Sequence, residues 1–348
     1  TVPQTENIIT GTIDGKPLVT GQVALLTAKE SWSFSSDSAF EKLYIKAGDT
    51  LQTSIRQLMG TGKNYLVLVD ASHKDMFGNY SRAGQMRASV TSNILMISGV
   101  SDVQKFATSL TRKTHEAALK NVVGMIPGKS KKEEFVIFSG HYDHLGIGAP
   151  NAKGDSIFNG ANDDAAGTTA VIMLAKYFKQ LANNERTLIF AAFTAEEVGG
   201  FGSQYFSQQF DPQNVMAMFN IEMIGTESKW GKNSAYITGY EKTNMGEILQ
   251  ANLKGTGFEF HPDPYTTENL FYRSDNATLA RLGVPAHTIS TAKMEGEPHY
   301  HKPSDEVKTL DLENMAQIIR SIAESSKTIV SGKDTPTRVK PEGGVRAS

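Results

Sequence analysis

Short apolar runs alternate with helical patterns through the second part of the chain. Residues 187–193 (TLIFAAF) form a continuous apolar run, typical of a strand buried on both faces, although periodicity alone also allows a helix. Similar strands are predicted at 121–126, 135–139, 215–221 and 284–289. Helices are predicted at about 165–181, 244–253, 274–282 and 312–330. This alternation predicts an α/β fold with a mostly parallel, doubly wound mixed sheet and helices on both faces.

The first 119 residues have a less regular pattern. Residues 1–22 are polar, with an Asp14-Gly15 turn signal, and predict an extended arm with a hairpin. Strands are predicted at 40–45 and 65–69, and helical spacing is read at 51–59 and 103–110. We expect residues 1–119 to form an arm and accessory region, 120–330 a second domain, and 331–348 a flexible tail.

Composition excludes some classes of partner and ligand. A net charge of -2 over 348 residues gives no reason to expect nucleic acid or an anionic membrane as partner. The chain contains no cysteine, so a bound metal must be held by His and carboxylate groups. No apolar run approaches the roughly 20 residues that span a bilayer. The start at Thr1 instead of Met leads us to expect an exported protein, periplasmic or extracellular, whose signal has been removed.

Acidic residues and histidines follow the predicted strands. Glu196 and Glu197 come after the 187–193 strand with no Lys or Arg within several residues. Taken alone, the pair favours an interpretation as solvated loop charges. However, His141, Asp163 and Glu222 also stand at strand ends or at the helix start beside them, and 299–301 follows the last strand. Ligands bind at this edge of parallel sheets, so the sequence predicts a pair of divalent cations among these groups.

Five ordered motifs carry a family resemblance over residues 121–330. They are GHYDHLG (140–146), NGANDDAAGTTA (159–170), AAFTAEEVGGFGS (191–203), NIEMIG (220–225) and PHYHKPSDE (298–306). With them the chain resembles the di-zinc exopeptidase family of bacterial aminopeptidases, glutamate carboxypeptidase and glutaminyl cyclase. The resemblance implies that 120–330 is a metallopeptidase catalytic domain.

The same resemblance implies a set of metal ligands. Asp163 would bridge two zinc ions, His141 and Glu222 would complete one site, and Glu197 with His301 would complete the other. The family usually has Asp where Glu222 stands, so the longer side chain raises the question whether one zinc ion binds or two. Two are expected.

Two further residues receive roles in the chemistry. Glu196 would be the general base, and Asp143 would orient the His141 imidazole, with a turn residue as the alternative for Asp143. We interpret His144 and His299 as loop histidines, and helix capping explains Asp164 completely.

The predicted function is a metal-dependent exopeptidase acting on peptide substrates, with an aminopeptidase favoured. Two alternatives remain open at this point. One is a glutaminyl cyclase with one zinc ion, and the other is a non-catalytic binding module on a peptidase fold. The sequence does not determine the side-chain specificity or the oligomeric state.

Overall fold

Residues 2–19, 21–82, 90–148 and 150–340 are described by the computed structural model of the chain. The chain separates into two units, Thr1–Ala118 and Leu119–Ser348. None of the helices in these described ranges has the length and apolar character required to cross a membrane.

The first unit contains two four-stranded sheets, with strand orders β2-β1-β8-β4 and β3-β7-β6-β5. Its strands are β1 (Val2–Ile13), β2 (Lys16–Pro17), β3 (Val23–Leu26), β4 (Ser31–Ser35), β5 (Glu41–Ile45), β6 (Asn64–Val69), β7 (Asn93–Ser98) and β8 (Phe106–Ala117). Its helices are α1 (Leu51–Leu58) and α2 (Lys74–Arg82). The predicted helix at 51–59 and the predicted strands at 40–45 and 65–69 are therefore confirmed.

The helix predicted at 103–110 is wrong, because strand β8 begins at Phe106 within this segment. Phe106, Thr108 and Leu110 are buried while the residues between them are exposed, which is the two-residue period of a strand. The segment pairs with β1 in an antiparallel ladder that begins at Ile13↔Phe106. The first residues therefore form a sheet strand instead of an unpaired arm, and the hairpin predicted at Asp14-Gly15 joins β1 to β2.

The second unit is built on a seven-stranded sheet of order β16-β15-β17-β14-β10-β13-β9. Its strands are β9 (Val122–Ile126), β10 (Lys131–His141), β11 (Gly146–Ile147), β12 (Ile157–Phe158), β13 (Arg186–Phe193), β14 (Val215–Ile221), β15 (Ser234–Ile237), β16 (Glu259–Pro262) and β17 (Ala286–Ser290). The helices are α3 (Ala166–Leu181), α4 (Phe201–Ser207), α5 (Met245–Asn252), α6 (Ala277–Ala280), α7 (Leu312–Ser325) and α8 (Lys327–Val330).

Four neighbouring strands, β13, β10, β14 and β17, run parallel to one another. Side chains alternate between two apolar cores along them. On β13, Leu188 and Phe190 pack in the core that includes α3, α5, α7 and α8, while Ile189, Ala191 and Phe193 pack in the core that includes α4 and α6. The mixed, mostly parallel, doubly wound α/β sheet predicted from the sequence is therefore confirmed.

The predicted flexible tail begins too early at residue 331. Val339 is buried in the core beside α4 and α6, and the Arg186 side chain donates a hydrogen bond to the Asp334 carbonyl oxygen. These contacts hold residues 331–340 against the rest of the second unit, because they satisfy a buried guanidinium and bury an apolar side chain. Residues 341–348 lie outside the described part of the chain.

Two helices are shorter than predicted. Only Ala277–Ala280 is α-helical within 274–282, and the helix predicted at 312–330 is divided at Ser326.

Candidate metal centre

Three neighbouring parallel strands end at one edge of the sheet, and we call this edge the rim. β10 ends at His141, β13 ends shortly before Glu196, and β14 ends immediately before Glu222. The turns that follow contain Ala195 and Met223 in left-handed backbone conformations, with φ of 60° and 53°. Residues other than glycine rarely adopt this backbone conformation, and those that do concentrate at functional sites.

One group of ligand atoms forms directly at the strand ends. We name His141, Asp163 and Glu222 the strand-end cluster. One ligand atom from each lies within 4.8 Å of the others, and His141 Nε2 is 3.2 Å from Asp163 Oδ1. Glu222 therefore reaches the cluster although the resembled family usually has the shorter Asp at this position.

A second group, the loop cluster, consists of Asp163, Glu197, His301 and His144. His301 Nε2 lies 3.2 Å from Asp163 Oδ2 and 3.2 Å from Glu197 Oε2. His144 Nδ1 lies 2.8 Å from Glu197 Oε1. The two clusters share Asp163, and together they contain the five residues that the family resemblance implies as metal ligands. His144 lies in a loop, as interpreted from the sequence, but the chain folds its ring against Glu197, a contact that the sequence did not indicate.

Asp164 fixes the backbone that carries the strand-end cluster. Its buried carboxylate accepts hydrogen bonds from the backbone N–H groups of His141 (3.2 Å), Gly167 (2.9 Å) and Met223 (3.1 Å). The bond from Gly167 is the predicted helix cap, but it is only one of three. Gly167 is required here because a Cβ atom would lie 2.0 Å from the Ile221 carbonyl oxygen.

Asp305 fixes the shared ligand from the opposite direction. The carboxylate, which is 1% exposed, accepts hydrogen bonds from the N–H groups of Asn162 (2.8 Å) and Asp163 (3.1 Å). It lies four residues after His301 and so connects that loop to the loop of Asp163. The sequence offered one signal for it, its place in the PHYHKPSDE motif.

Asp143 acts differently from the prediction. Its carboxylate accepts hydrogen bonds from the N–H groups of Glu196 (3.1 Å) and Glu197 (3.3 Å). The His141 Nδ1 atom is 3.0 Å from the Asp143 carbonyl oxygen and 3.8 Å from its carboxylate. The backbone carbonyl therefore orients the imidazole, because the side chain is occupied by the turn that presents the two glutamates.

Ionisation in the strand-end cluster is strongly perturbed. Burial opposes charge on His141, but the adjacent Asp163, Asp164 and Glu222 carboxylates raise its pKa well above the ordinary value. Burial also raises the pKa of Glu222 to about 7 and that of Glu196 to about 9, and Glu222 adds to the effect on Glu196. Several carboxylates are thus forced together in a space from which water is excluded.

The loop cluster shows the complementary pattern. Contact with Asp163 and Glu197 raises the pKa of His301 to about 9. Burial alone would raise the pKa of Glu197, but His144 and His301 lower it. The protonated His301 imidazole thus places a positive charge beside the Asp163 and Glu197 carboxylates.

The donor atoms fit a divalent metal. Four ligand atoms are buried and have no aligned hydrogen-bond partner among the described residues: His141 Nε2, both ring nitrogens of His144, and Glu197 Oε1. Buried polar atoms ordinarily have partners, so unmatched atoms in both clusters indicate that each cluster binds a ligand. Imidazole nitrogen and carboxylate oxygen without thiolate suit zinc.

Asn276 and His299 belong to neither cluster. Asn276 donates its side-chain N–H groups to the carbonyl oxygens of Phe271 and Ala286. His299 Nδ1 is 3.0 Å from Ser304 Oγ, so its interpretation as a loop histidine agrees with the structure.

Known proteins resemble the chain in sequence. A probable leucine aminopeptidase of Trichophyton verrucosum is 28% identical over 206 residues, which cover 57% of this chain and 54% of that protein. Aminopeptidase YwaD of Bacillus subtilis is 24% identical over 264 residues, covering 70% and 52%. The chain thus spans about half the length of the curated relatives it matches.

A solved structure shares the fold. A zinc aminopeptidase from Bacillus subtilis superposes with a TM-score of 0.63 at 16% identity, over 98% of this chain and 87% of that one. The sequence model of peptidase family M28 matches residues 121–326, which is more than half of the chain and contains both clusters. The chain therefore belongs to peptidase family M28.

Proposed function

We propose that the chain is a zinc-dependent aminopeptidase that binds two zinc ions and removes N-terminal residues from peptides. The observation that carries this proposal is the pair of ligand clusters joined at Asp163, set in the wall of a cavity of about 340 Å³. Relatives named as aminopeptidases, including leucine aminopeptidases, support it.

The charges around the cavity favour a substrate with a free amino group. Glu268 and Glu297 line the cavity together with the rim carboxylates. Among the described lining residues, Arg273 is the one Lys or Arg, and its guanidinium lies 3.3 Å from Glu268. An acidic cavity attracts the ammonium group of a peptide N-terminus, whereas a carboxypeptidase needs a free cation for the substrate carboxylate.

The remaining cavity wall suits an uncharged side chain. Its surface combines apolar groups with hydroxyl groups, from Met223, Tyr236, Thr238, Leu270, Thr288, Ser290, Ala292 and Met294. A mostly apolar wall with a few polar groups is typical of a site that orients a small molecule. We therefore propose apolar or small polar N-terminal residues as the preferred substrates.

The strand-end cluster would hold one zinc ion and the loop cluster the other. When bound, divalent zinc lowers the pKa of water and polarises the scissile carbonyl group. The positive charge of bound zinc would lower the raised pKa of Glu196, so that this cavity-lining carboxylate is ionised. Glu196 would then accept a proton from the attacking water and donate it to the leaving amine. Asp143 keeps Glu196 in place through the backbone hydrogen bond of 3.1 Å.

A panel of amino-acid amides and peptides tests the proposal. We expect release of the N-terminal residue from unblocked substrates, no release from N-acetylated ones, loss of activity with a chelator and recovery with Zn²⁺. Glu196→Gln should lower turnover by about 10²- to 10⁴-fold while metal content is unchanged. Glu185→Gln, at the opposite end of β13, is the matched control and should retain activity.

Other products would identify another function. Ammonia release from a peptide with N-terminal Gln, without hydrolysis, would indicate a glutaminyl cyclase. Release from the C-terminus would indicate a carboxypeptidase. Normal turnover by Glu196→Gln would refute the assignment of the base.

A further inference from the structure

His144 is buried beside the metal ligands, in the loop between β10 and β11. Its side chain is 8% exposed, and Nδ1 lies 2.8 Å from Glu197 Oε1 and 3.9 Å from Asp163 Oδ2. It belongs to a group of three whose ligand atoms all lie within 4.8 Å of one another, His144, Asp163 and Glu197. The ring thus faces the same point as the loop-cluster carboxylates.

Its ring nitrogens distinguish His144 from a structural histidine. Neither nitrogen has an aligned hydrogen-bond partner among the described residues, and both are buried. His287, by contrast, is 1% exposed and has both ring nitrogens at 2.8 Å from partners, the Thr243 hydroxyl and the Thr238 carbonyl oxygen. The fold satisfies His287 internally and leaves the nitrogens of His144 for something else.

The orientation of the His144 ring is fixed by its surroundings. Gly160 packs directly on it, since a Cβ atom there would lie 2.7 Å from His144 Cγ. The His301 ring meets it edge to face, with centroids 5.6 Å apart and planes at 71°. His144 and His301 therefore flank the same two carboxylates from different loops.

We propose that His144 is a fourth protein donor at the metal position formed by Asp163, Glu197 and His301. This inference rests on the metal-dependent function proposed above and goes beyond its five ligands. The two positions then differ in kind: the loop cluster supplies four protein donors, and the strand-end cluster supplies three. Four protein donors are characteristic of a zinc site that holds its ion, and three leave a coordination place open for water or substrate. The ion of the loop cluster is the more tightly held one.

Metal binding measured without turnover tests the inference. Metal-free wild type, His144→Ala and His144→Gln are titrated with Zn²⁺ against a chelator, and with Co²⁺ while the visible absorption is recorded. Loss of an outer partner of a ligand already costs about 10- to 100-fold in metal affinity, so loss of a direct donor should weaken one of the two ions at least tenfold. The Co²⁺ spectrum of that ion should change as well. His299→Ala is the matched control, and it should bind both ions like wild type.

X-ray absorption of the zinc-loaded wild type provides a second measurement that requires no variant to fold. We expect three imidazoles, from His141, His144 and His301, shared between two zinc ions. Two imidazoles, or His144 variants with unchanged affinities and Co²⁺ spectra, would overturn the role of His144 and leave the proposed function intact. A wild type that binds no zinc would instead refute the proposed function.

Discussion

The two ends of strand β13 bury charge in opposite ways. At its start, Arg186 is 1% exposed and each of its three nitrogens donates a hydrogen bond, to Glu134, to the carbonyl oxygens of Ile329 and Asp334, and to Thr335. Beyond its other end, Glu197 Oε1 and the nearby His141 Nε2 are buried without an aligned partner in the described chain. The sequence places a charge next to the same apolar run in both cases.

The difference separates structural from functional buried charge. A charge that the chain itself satisfies stabilises the fold, because its partners offset the loss of hydration. Charged groups that lie close together without partners in the chain are tolerated only when a bound ligand supplies the opposite charge. Variants at each end of the strand test this distinction.

The largest effect on stability is expected from Arg186. Arg186→Leu would remove the guanidinium donor to the Asp334 carbonyl oxygen, one of the two donors to the Ile329 carbonyl oxygen, and the partner of Glu134. Each such loss costs about 1 to 3 kcal/mol, so we expect a decrease of about 2 to 4 kcal/mol in the free energy of unfolding. Urea denaturation followed by circular dichroism measures it. Zinc affinity of the folded variant should remain that of wild type.

Arg186→Lys serves as the control, since it keeps the charge but loses the planar arrangement of donors. It should unfold between wild type and Arg186→Leu. Equal stability of all three proteins would contradict the structural role of this end of β13.

Much of the rim could be predicted from the sequence because its residues are marked by local patterns. His141, Glu196, Glu197 and Glu222 follow apolar runs, and a parallel sheet brings the ends of such runs together. The apolar residues of 103–110 fit both a helical and a strand period over this short stretch, and only pairing with β1 selects the strand.

Contacts between distant loops could not be predicted in this way. His144 meets Glu197 only because the loop after β10 folds back over the end of β13, and no periodicity marks a lone histidine in a loop. Asp305 reaches the Asp163 backbone from 142 positions away along the chain. Both depend on tertiary folding that the local pattern does not encode.

A smaller effect, at the rim, is expected from Asp305. Asp305→Asn replaces one acceptor oxygen by an amide that faces a backbone N–H group, so the Asp163 loop loses a hydrogen bond. Removal of such a supporting group typically costs about 10- to 100-fold in metal affinity, and we expect zinc binding to weaken within that range. Chelator competition measures the change.

Asp311→Asn is the matched control for Asp305→Asn. Asp311 caps helix α7 by accepting from the Asn314 N–H group at 3.0 Å and is not part of either cluster. This variant should lose some stability and keep its zinc affinity. Equal loss of zinc affinity in both variants would show that Asp305 has no specific connection to the rim.

The smallest effect concerns His287, which is as buried as His141 but lies away from the rim carboxylates. Burial lowers the pKa of His287 from 6.5 to about 4, whereas carboxylates raise that of His141 despite its burial. In the unfolded chain His287 takes up a proton at higher pH than in the folded one. The contribution of His287 to the free energy of unfolding is therefore complete above pH 6.5 and is lost as pH falls from 6.5 toward 4. Between pH 7 and pH 6 this group should lower the free energy of unfolding by about 0.7 kcal/mol.

Urea denaturation at both pH values, for wild type and His287→Gln, isolates the contribution of His287 to this change, which should be missing from the variant. An unchanged pH dependence in His287→Gln would mean that the interior does not hold this imidazole neutral. His287 would then no longer contrast with His141 at the rim.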